Sequence, residues 1–140
     1  MTAESFDPLT ETALAAIFEV ANTLGAGFLE KVYHRALLKE LRIRGLQTVS
    51  QPSFRVIYKG ECVGEYFADL LVENTVLVEL KCVERLANEH TAQCLNYLHA
   101  SGKTLCLLVN FQRPKVEWKR IVHHFKPVSY PRSSAFIRGQ

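Results

Sequence analysis

A chain of 140 residues is long enough to bury a hydrophobic core without disulfide or metal staples, and one domain is expected. With 48% hydrophobic and 22% charged residues it has the composition of an ordinary globular protein, which excludes the disordered and collagenous classes. The formal net charge of +3 permits a polyanionic partner without arguing for one.

The opening segment, Met1 to Pro8, is polar and acidic and lacks the basic and apolar regions of a secretory signal. No stretch reaches the roughly 20 apolar residues of a membrane helix, so a cytoplasmic address without a membrane partner is expected. Asp7-Pro8 or Thr10 can open a helix, by N-cap chemistry and a proline in the first turn. Leu14, Ile17, Phe18, Ala21 and Leu24 continue it at helical spacing until Gly25-Ala26-Gly27 interrupts. A second helical pattern follows through Phe28, Val32, Ala36, Leu37 and Leu41, with Arg42 and Arg44 in its last turn before Gly45. The pattern leaves open whether these are two helices or one kinked at the glycines.

From Gln51 the period changes to two: Phe54, Val56 and Tyr58 alternate with Arg55, Ile57 and Lys59, as in a half-buried strand. Lys59-Gly60 is a turn. Two further runs, from about Gly64 to Val72 and from Val76 to Val83, flank Glu73-Asn74-Thr75 and read as a hairpin. Glu89 to Ala100 is helical, with Ser101-Gly102 as its stop. Leu105 to Val109 is continuously apolar, as expected of a strand covered on both faces. Val116 to His123 alternates well enough for an edge-like last strand. The crossover through the third helix implies at least one parallel pair, so the fold class is α/β, a mixed four- to five-stranded sheet flanked by helices. The domain is expected over residues 1–126, with a loosely held tail over 127–140. Cys62, Cys82, Cys94 and Cys106 lie in apolar segments without a C-x-x-C pair and read as buried, reduced thiols.

The informative segment runs from Glu65 to Lys81. Glu79 and Lys81 interrupt an otherwise apolar strand, where charges cost several kcal/mol each unless paired or metal-bound. Being two apart, they share a face. If Glu73-Asn74-Thr75 is a three-residue loop, Val72 pairs with Val76 and Asp69 falls opposite Glu79, with Cβ atoms about 4.5–5.5 Å apart. Two carboxylates so close repel, and each raises the other's tendency to hold a proton. A divalent cation resolves the conflict, and oxygen ligands favour Mg²⁺ or Mn²⁺ over zinc. A two-residue loop would break this register. E-x-K also arises on edge strands, where inward charges block aggregation.

Gly27-Phe28-Leu29-Glu30-Lys31-Val32-Tyr33 resembles the G-x-x-E-x-x-Y signature of the GxxExxY proteins. Phe67-Ala68-Asp69, Glu79-Leu80-Lys81 and Gln93-Cys94-Leu95-Asn96-Tyr97-Leu98 extend the likeness over about Leu9 to Val122. That family is regarded as part of the PD-(D/E)XK nuclease superfamily. The resemblance implies a restriction-endonuclease-like core in α-β-β-β-α-β order. It also implies Asp69 as metal ligand, Glu79 and Lys81 as the E-x-K, Glu30 as a helical carboxylate completing the metal shell, and Gln93 and Tyr97 as a helical pair beside the site. Phe67-Ala68 departs from the superfamily's name-giving proline.

The residues themselves leave alternatives. Glu30 sits at the rim of an apolar arc at about 100° per residue, facing either a cleft or solvent. Gln93 and Tyr97 share a helix face, but Tyr97 fits a core position equally, and Tyr33 reads as core. The histidines (His34, His90, His99, His123, His124) are scattered and read as poor metal ligands. Lys115, Lys119, Arg120, Lys126, Arg132 and Arg138, with Trp118 among them, read as a solvated strand face and tail, the alternative being a phosphate-tracking surface.

The expected function is Mg²⁺-dependent (or Mn²⁺-dependent) phosphodiester hydrolysis in nucleic acid, with DNA the expected partner. Asp69, Glu79, the Leu80 carbonyl and Glu30 would hold the ion. Lys81 would orient or deprotonate a water and stabilise the pentavalent state, and Gln93 and Tyr97 would position the strand. Two other readings stand beside it. One is a catalytically silent nuclease-fold module that binds nucleic acid or a protein. The other is a structural domain whose acidic pair and lysine form an ion network. A homodimer or protein partner is compatible with the nuclease reading, because a small lone nuclease needs help to reach its substrate safely.

Overall fold

A computed structural model describes residues 7–123, so the tail 127–140, the boundary at 126, and Lys126, Arg132 and Arg138 lie outside the described residues. Asp7 opens α1 (Pro8–Leu24), its carboxylate accepting from the Thr10 N–H at 2.7 Å while Pro8 fills the first turn, where no N–H is needed. Ala13, Leu14, Ala16, Ile17 and Val20 form its buried stripe. The chain then turns through Gly25 (φ 73°) and Gly27 (φ 112°), conformations open to glycine, and α2 (Glu30–Ile43) starts as a separate helix. Tyr33 fastens this corner. Its ring is fully buried and stacks on Phe111 at 4.7 Å, while its hydroxyl donates to the Gly25 carbonyl at 2.5 Å and accepts from the Phe28 N–H at 3.2 Å. Tyr33→Phe is therefore expected to cost about 1–3 kcal/mol, since both backbone groups lose their partner, read as a lower urea midpoint at unchanged slope.

The strands are β1 (Thr48–Ser50), β2 (Ser53–Tyr58), β3 (Glu61–Phe67), β4 (Leu70–Val72), β5 (Val76–Lys81), β6 (Leu105–Asn110) and β7 (Glu117–Val122), with α3 (Asn88–Ser101) between β5 and β6. Five of them form one mixed sheet in the order β1-β4-β5-β6-β7, and the crossover through α3 makes β5 and β6 parallel. Alternation divides the core between two faces. Val76, Val78, Leu80, Leu105, Leu107 and Val109 pack with residues of α1 and α2. Leu71, Leu77, Cys106 and Leu108 pack with Cys94, Tyr97 and Leu98 of α3. Every residue of β6 is buried, as its apolar run predicts.

The sheet has five strands, but not the five expected from the pattern. Phe54 to Tyr58 lies in β2, which pairs with β3 in a separate two-stranded sheet. The run read as Gly64 to Val72 breaks at Ala68-Asp69. The missing member is β1, three residues paired with β4 and too short to show a period. Gln51, in a left-handed conformation (φ 54°) before Pro52, turns the chain out of the main sheet. Cys62 lies near the tip of the β2–β3 hairpin, just past the Lys59-Gly60 turn, and is exposed, which corrects its reading as a buried thiol; Cys94 and Cys106 are buried and Cys82 is partly so, all four as free thiols. Among the described residues no helix is long and apolar enough to cross a membrane.

Candidate active site

Glu73 and Asn74 take left-handed conformations (φ 51° and 52°), the tight turn closes with the Thr75 N–H donating to the Val72 carbonyl, and Val72 pairs with Val76. The ladder runs from there to Leu70 opposite Val78 and stops. One step beyond, side chains replace the backbone. Asp69 Oδ2 accepts from the Leu80 N–H at 2.7 Å, and Glu79 Oε1 accepts from the Asp69 N–H at 3.2 Å. The two carboxylates thus meet where the register of the hairpin demands. In a strand the N–H and C=O of one residue leave by the same edge, so the Leu80 carbonyl is directed toward the Asp69 side.

Glu79 shares its face of β5 with Leu77 and Lys81, toward α3. Only 4% of Glu79 is exposed. Burial first, and the Asp69 charge second, push its carboxyl up to about 9. Asp69 is also held above its ordinary range by burial, against the lowering effect of the Leu80 N–H, His34 and Lys81. Between ordinary carboxylate values and about 9 the metal-free pair therefore keeps a proton. Lys81 Nζ lies 4.0 Å from Glu79 Oε2 and donates to Gln93 Oε1 at 2.6 Å, which ties the strand lysine to α3.

Of the residues singled out in the sequence, Asp69, Glu79, Leu80, Lys81 and Gln93 come together. Tyr97 lies one turn further along α3, buried in the core and edge-on to Tyr66 at 5.6 Å. Its phenol is pushed up by burial and by the charges of Glu79 and Asp69, so it stays neutral and serves as core beside the site. Glu30, at the first turn of α2, is exposed and lines a groove of about 600 Å³ together with Asp69. Its carboxyl is raised by burial and then by the Asp69 charge. His34 and Ser50, hydrogen-bonded at 2.8 Å, line the same groove and were not anticipated. The available signal was the i, i+4 spacing of Glu30 and His34, which puts both on one edge of α2. Another histidine has a structural use: His90 Nδ1 accepts from the Ala87 N–H at 2.9 Å and so caps α3.

A twisted mixed sheet between helices, with an acidic pair at the end of a hairpin ladder and a lysine two residues on, defines a nuclease-type α/β fold. The model of the PD-(D/E)XK nuclease superfamily matches residues 7–121, and the chain belongs to that superfamily. Among solved structures, the protein SSO0001 is similar at a TM-score of 0.56 and 15% identity, over 84% of this chain and 58% of that one, a likeness of fold. This chain thus spans little more than half the length of that neighbour. An alkaline exonuclease from Laribacter hongkongensis aligns at a TM-score of 0.45 and 17% identity, over 82% of each chain. No curated protein matches the sequence.

Members of the superfamily generally use divalent metal ions. The donor chemistry here fits one: burial raises both carboxyls where they face each other, and a hard cation between them offsets both the repulsion and the lost hydration. The fit is of the pair alone. Among the described residues no group of three His, Cys, Asp or Glu side chains is placed to hold an ion, Glu30 lying across the groove that Asp69 lines.

Proposed function

We propose that this chain is a nuclease that hydrolyses phosphodiester bonds in nucleic acid, with DNA as substrate and Mg²⁺, or Mn²⁺ in its place, held by Asp69, Glu79 and the Leu80 carbonyl. The observation that carries this reading is the pair itself, two carboxylates facing each other at a strand end with Glu79 almost wholly buried. An acidic couple of this kind costs several kcal/mol to desolvate, and a cation is what makes it useful. When bound, the ion supplies charge neutralisation at the scissile phosphate and activation of a water.

The remaining work falls to side chains of this protein. Lys81, tethered by Gln93, presents a cation beside the carboxylates; it stabilises negative charge developing on the phosphate oxygens, or as the amine takes a proton from the attacking water. Gln93 acts through Lys81 and is a positioning residue. Tyr97 supports this face of α3. Glu30 reaches the reacting groups only across the groove, through solvent or substrate.

Titration calorimetry with Mg²⁺ and Mn²⁺ tests the reading. One binding event is expected in the wild type and none in Asp69→Asn, which also loses cleavage of a labelled oligonucleotide. A folded wild type that takes up neither ion sinks the proposal. Lys31 and Arg35, which line the groove beside Asp69, also suit a second reading, a catalytically silent nuclease fold that binds nucleic acid. Salt-sensitive DNA binding that persists in Glu79→Ala, with no cleavage by the wild type, selects it.

A further inference from the structure

The buried stripe of α2 is Tyr33, Leu37 and Leu41. Roughly opposite it, Lys31, Arg35, Lys39 and Arg42 fall within about 80° of one another and span about 16 Å of helix. All four are exposed. The two acidic residues of the helix do not neutralise them. Glu40 is held by Arg44 at 2.8 Å, and Glu30 is turned to the Asp69 groove, where the Asp69 charge acts on it. Arg42 donates to the Thr48 carbonyl, a neutral partner, at 3.0 Å. Lys31, Arg35 and Lys39 form no salt bridge among the described residues. Like charges stacked at i, i+4 and i+8 oppose helix formation, and among the described residues no ion pair offsets them.

The ridge also leads somewhere. Lys31 and Arg35, its first half, line the groove that holds Asp69, together with His34, Ser50 and Gln51. Arg35, Lys39 and Arg42 line a second, adjoining hollow. A strip of uncompensated cations, open to solvent and ending at an acidic pair, matches the charge of a phosphodiester backbone whose scissile phosphate sits at that pair. The basic strand β7 has no such continuity. Its Trp118 is half-buried, packed edge-on to Phe18 at 6.4 Å, and so is not an open stacking platform.

We propose that the outer face of α2, along Lys31, Arg35 and Lys39, is the track on which the DNA backbone lies as it enters the groove at Asp69. This rests on the nucleic-acid reading above, and the ridge supplies the substrate-binding half of it. His34, fixed by Ser50, stands where the track meets the acidic pair and contacts the phosphate nearest to it.

The test is equilibrium binding of a fluorescein-labelled single-stranded DNA oligonucleotide by anisotropy, without divalent metal and over a range of salt. The full chain is compared with K31E/R35E/K39E and with K115E/K119E, which places the same kind of reversal beside and on β7. All substituted side chains are exposed, and circular dichroism melts check the fold. The α2 variant is expected to bind at least ~10-fold more weakly, with a log–log salt slope shallower by about 2, since each phosphate contact on a single strand contributes about 0.7 to the slope. The control should retain wild-type affinity. Equal losses in both variants, wild-type affinity in the α2 variant, or no binding by the wild type would overturn the track. Because binding is read without metal, failure of cleavage does not touch this result. Conversely, unimpaired binding and cleavage by the α2 variant would overturn the track while leaving the acidic pair's role intact.

Discussion

Replacing Lys81 by alanine is expected to slow Mg²⁺-dependent cleavage about 10³-fold under single-turnover conditions while leaving the fold and ion uptake in place. A donor aimed at charge that develops in the transition state is worth about 10²–10³ in rate, and a positioned base about 10²–10⁴, so either role for Lys81 predicts a loss of this size. The structural cost is small by comparison. Lys81 is partly exposed, its contact with Glu79 is long at 4.0 Å, and Gln93 is half-buried and can bond to water instead. Gln93→Ala should give a smaller loss, because it removes the tether and leaves the charge. Its pH–rate profile should shift as well, which a merely structural role for Gln93 would not produce. A Lys81→Ala protein that melts like the wild type and cleaves within threefold of it would remove Lys81 from the chemistry.

The second large effect concerns stability in the absence of metal. Glu79 has an ordinary value of 4.5 and is pushed up to about 9 in the fold, and Asp69 moves the same way. Between those values the folded protein holds a proton that the unfolded chain has released. Stability must therefore fall as pH rises through that window, the penalty being absent below 4.5. Glu79→Gln removes the titration and keeps the hydrogen bonds: its amide oxygen accepts from the Asp69 N–H and its NH₂ can donate to the Asp69 carboxylate. The metal-free variant is expected to be about 1–3 kcal/mol more stable than the wild type at pH 8, with the gap closing toward pH 4.5. Denaturant melts across pH measure it directly. Saturating Mg²⁺ should narrow the difference by stabilising the wild type alone, about 2.7 kcal/mol at 100 times its dissociation constant. A wild type whose metal-free stability is flat across this range would show that the carboxylates do not share a proton.

The motif Gly27 to Tyr33 illustrates how a sequence signature divides between architecture and chemistry. Gly27 supplies a left-handed turn and Tyr33 fastens the interhelical corner with its hydroxyl. Of the three signature positions Glu30 alone lines the acidic groove, with Lys31 beside it. The likeness to a nuclease family was legible in these residues, but the division of labour among them was not.

Local rules were enough for what depends on neighbours along the chain. The caps at Asp7 and Gly102, the turn at Lys59-Gly60 and the fully buried β6 all follow from short-range geometry and periodicity. The meeting of Asp69 with Glu79 was legible only on the condition of a three-residue loop, and the pairing of Val72 with Val76 meets that condition. Tertiary structure decided the rest. A three-residue strand such as β1 carries no period, and a run that bends at Ala68-Asp69 reads as one strand until two different sheets claim its halves. The pairing of His34 with Ser50 and the continuity of the α2 ridge with the acidic groove join elements far apart in the chain. Such contacts are set by how faces pack, and one-dimensional spacing holds no record of that.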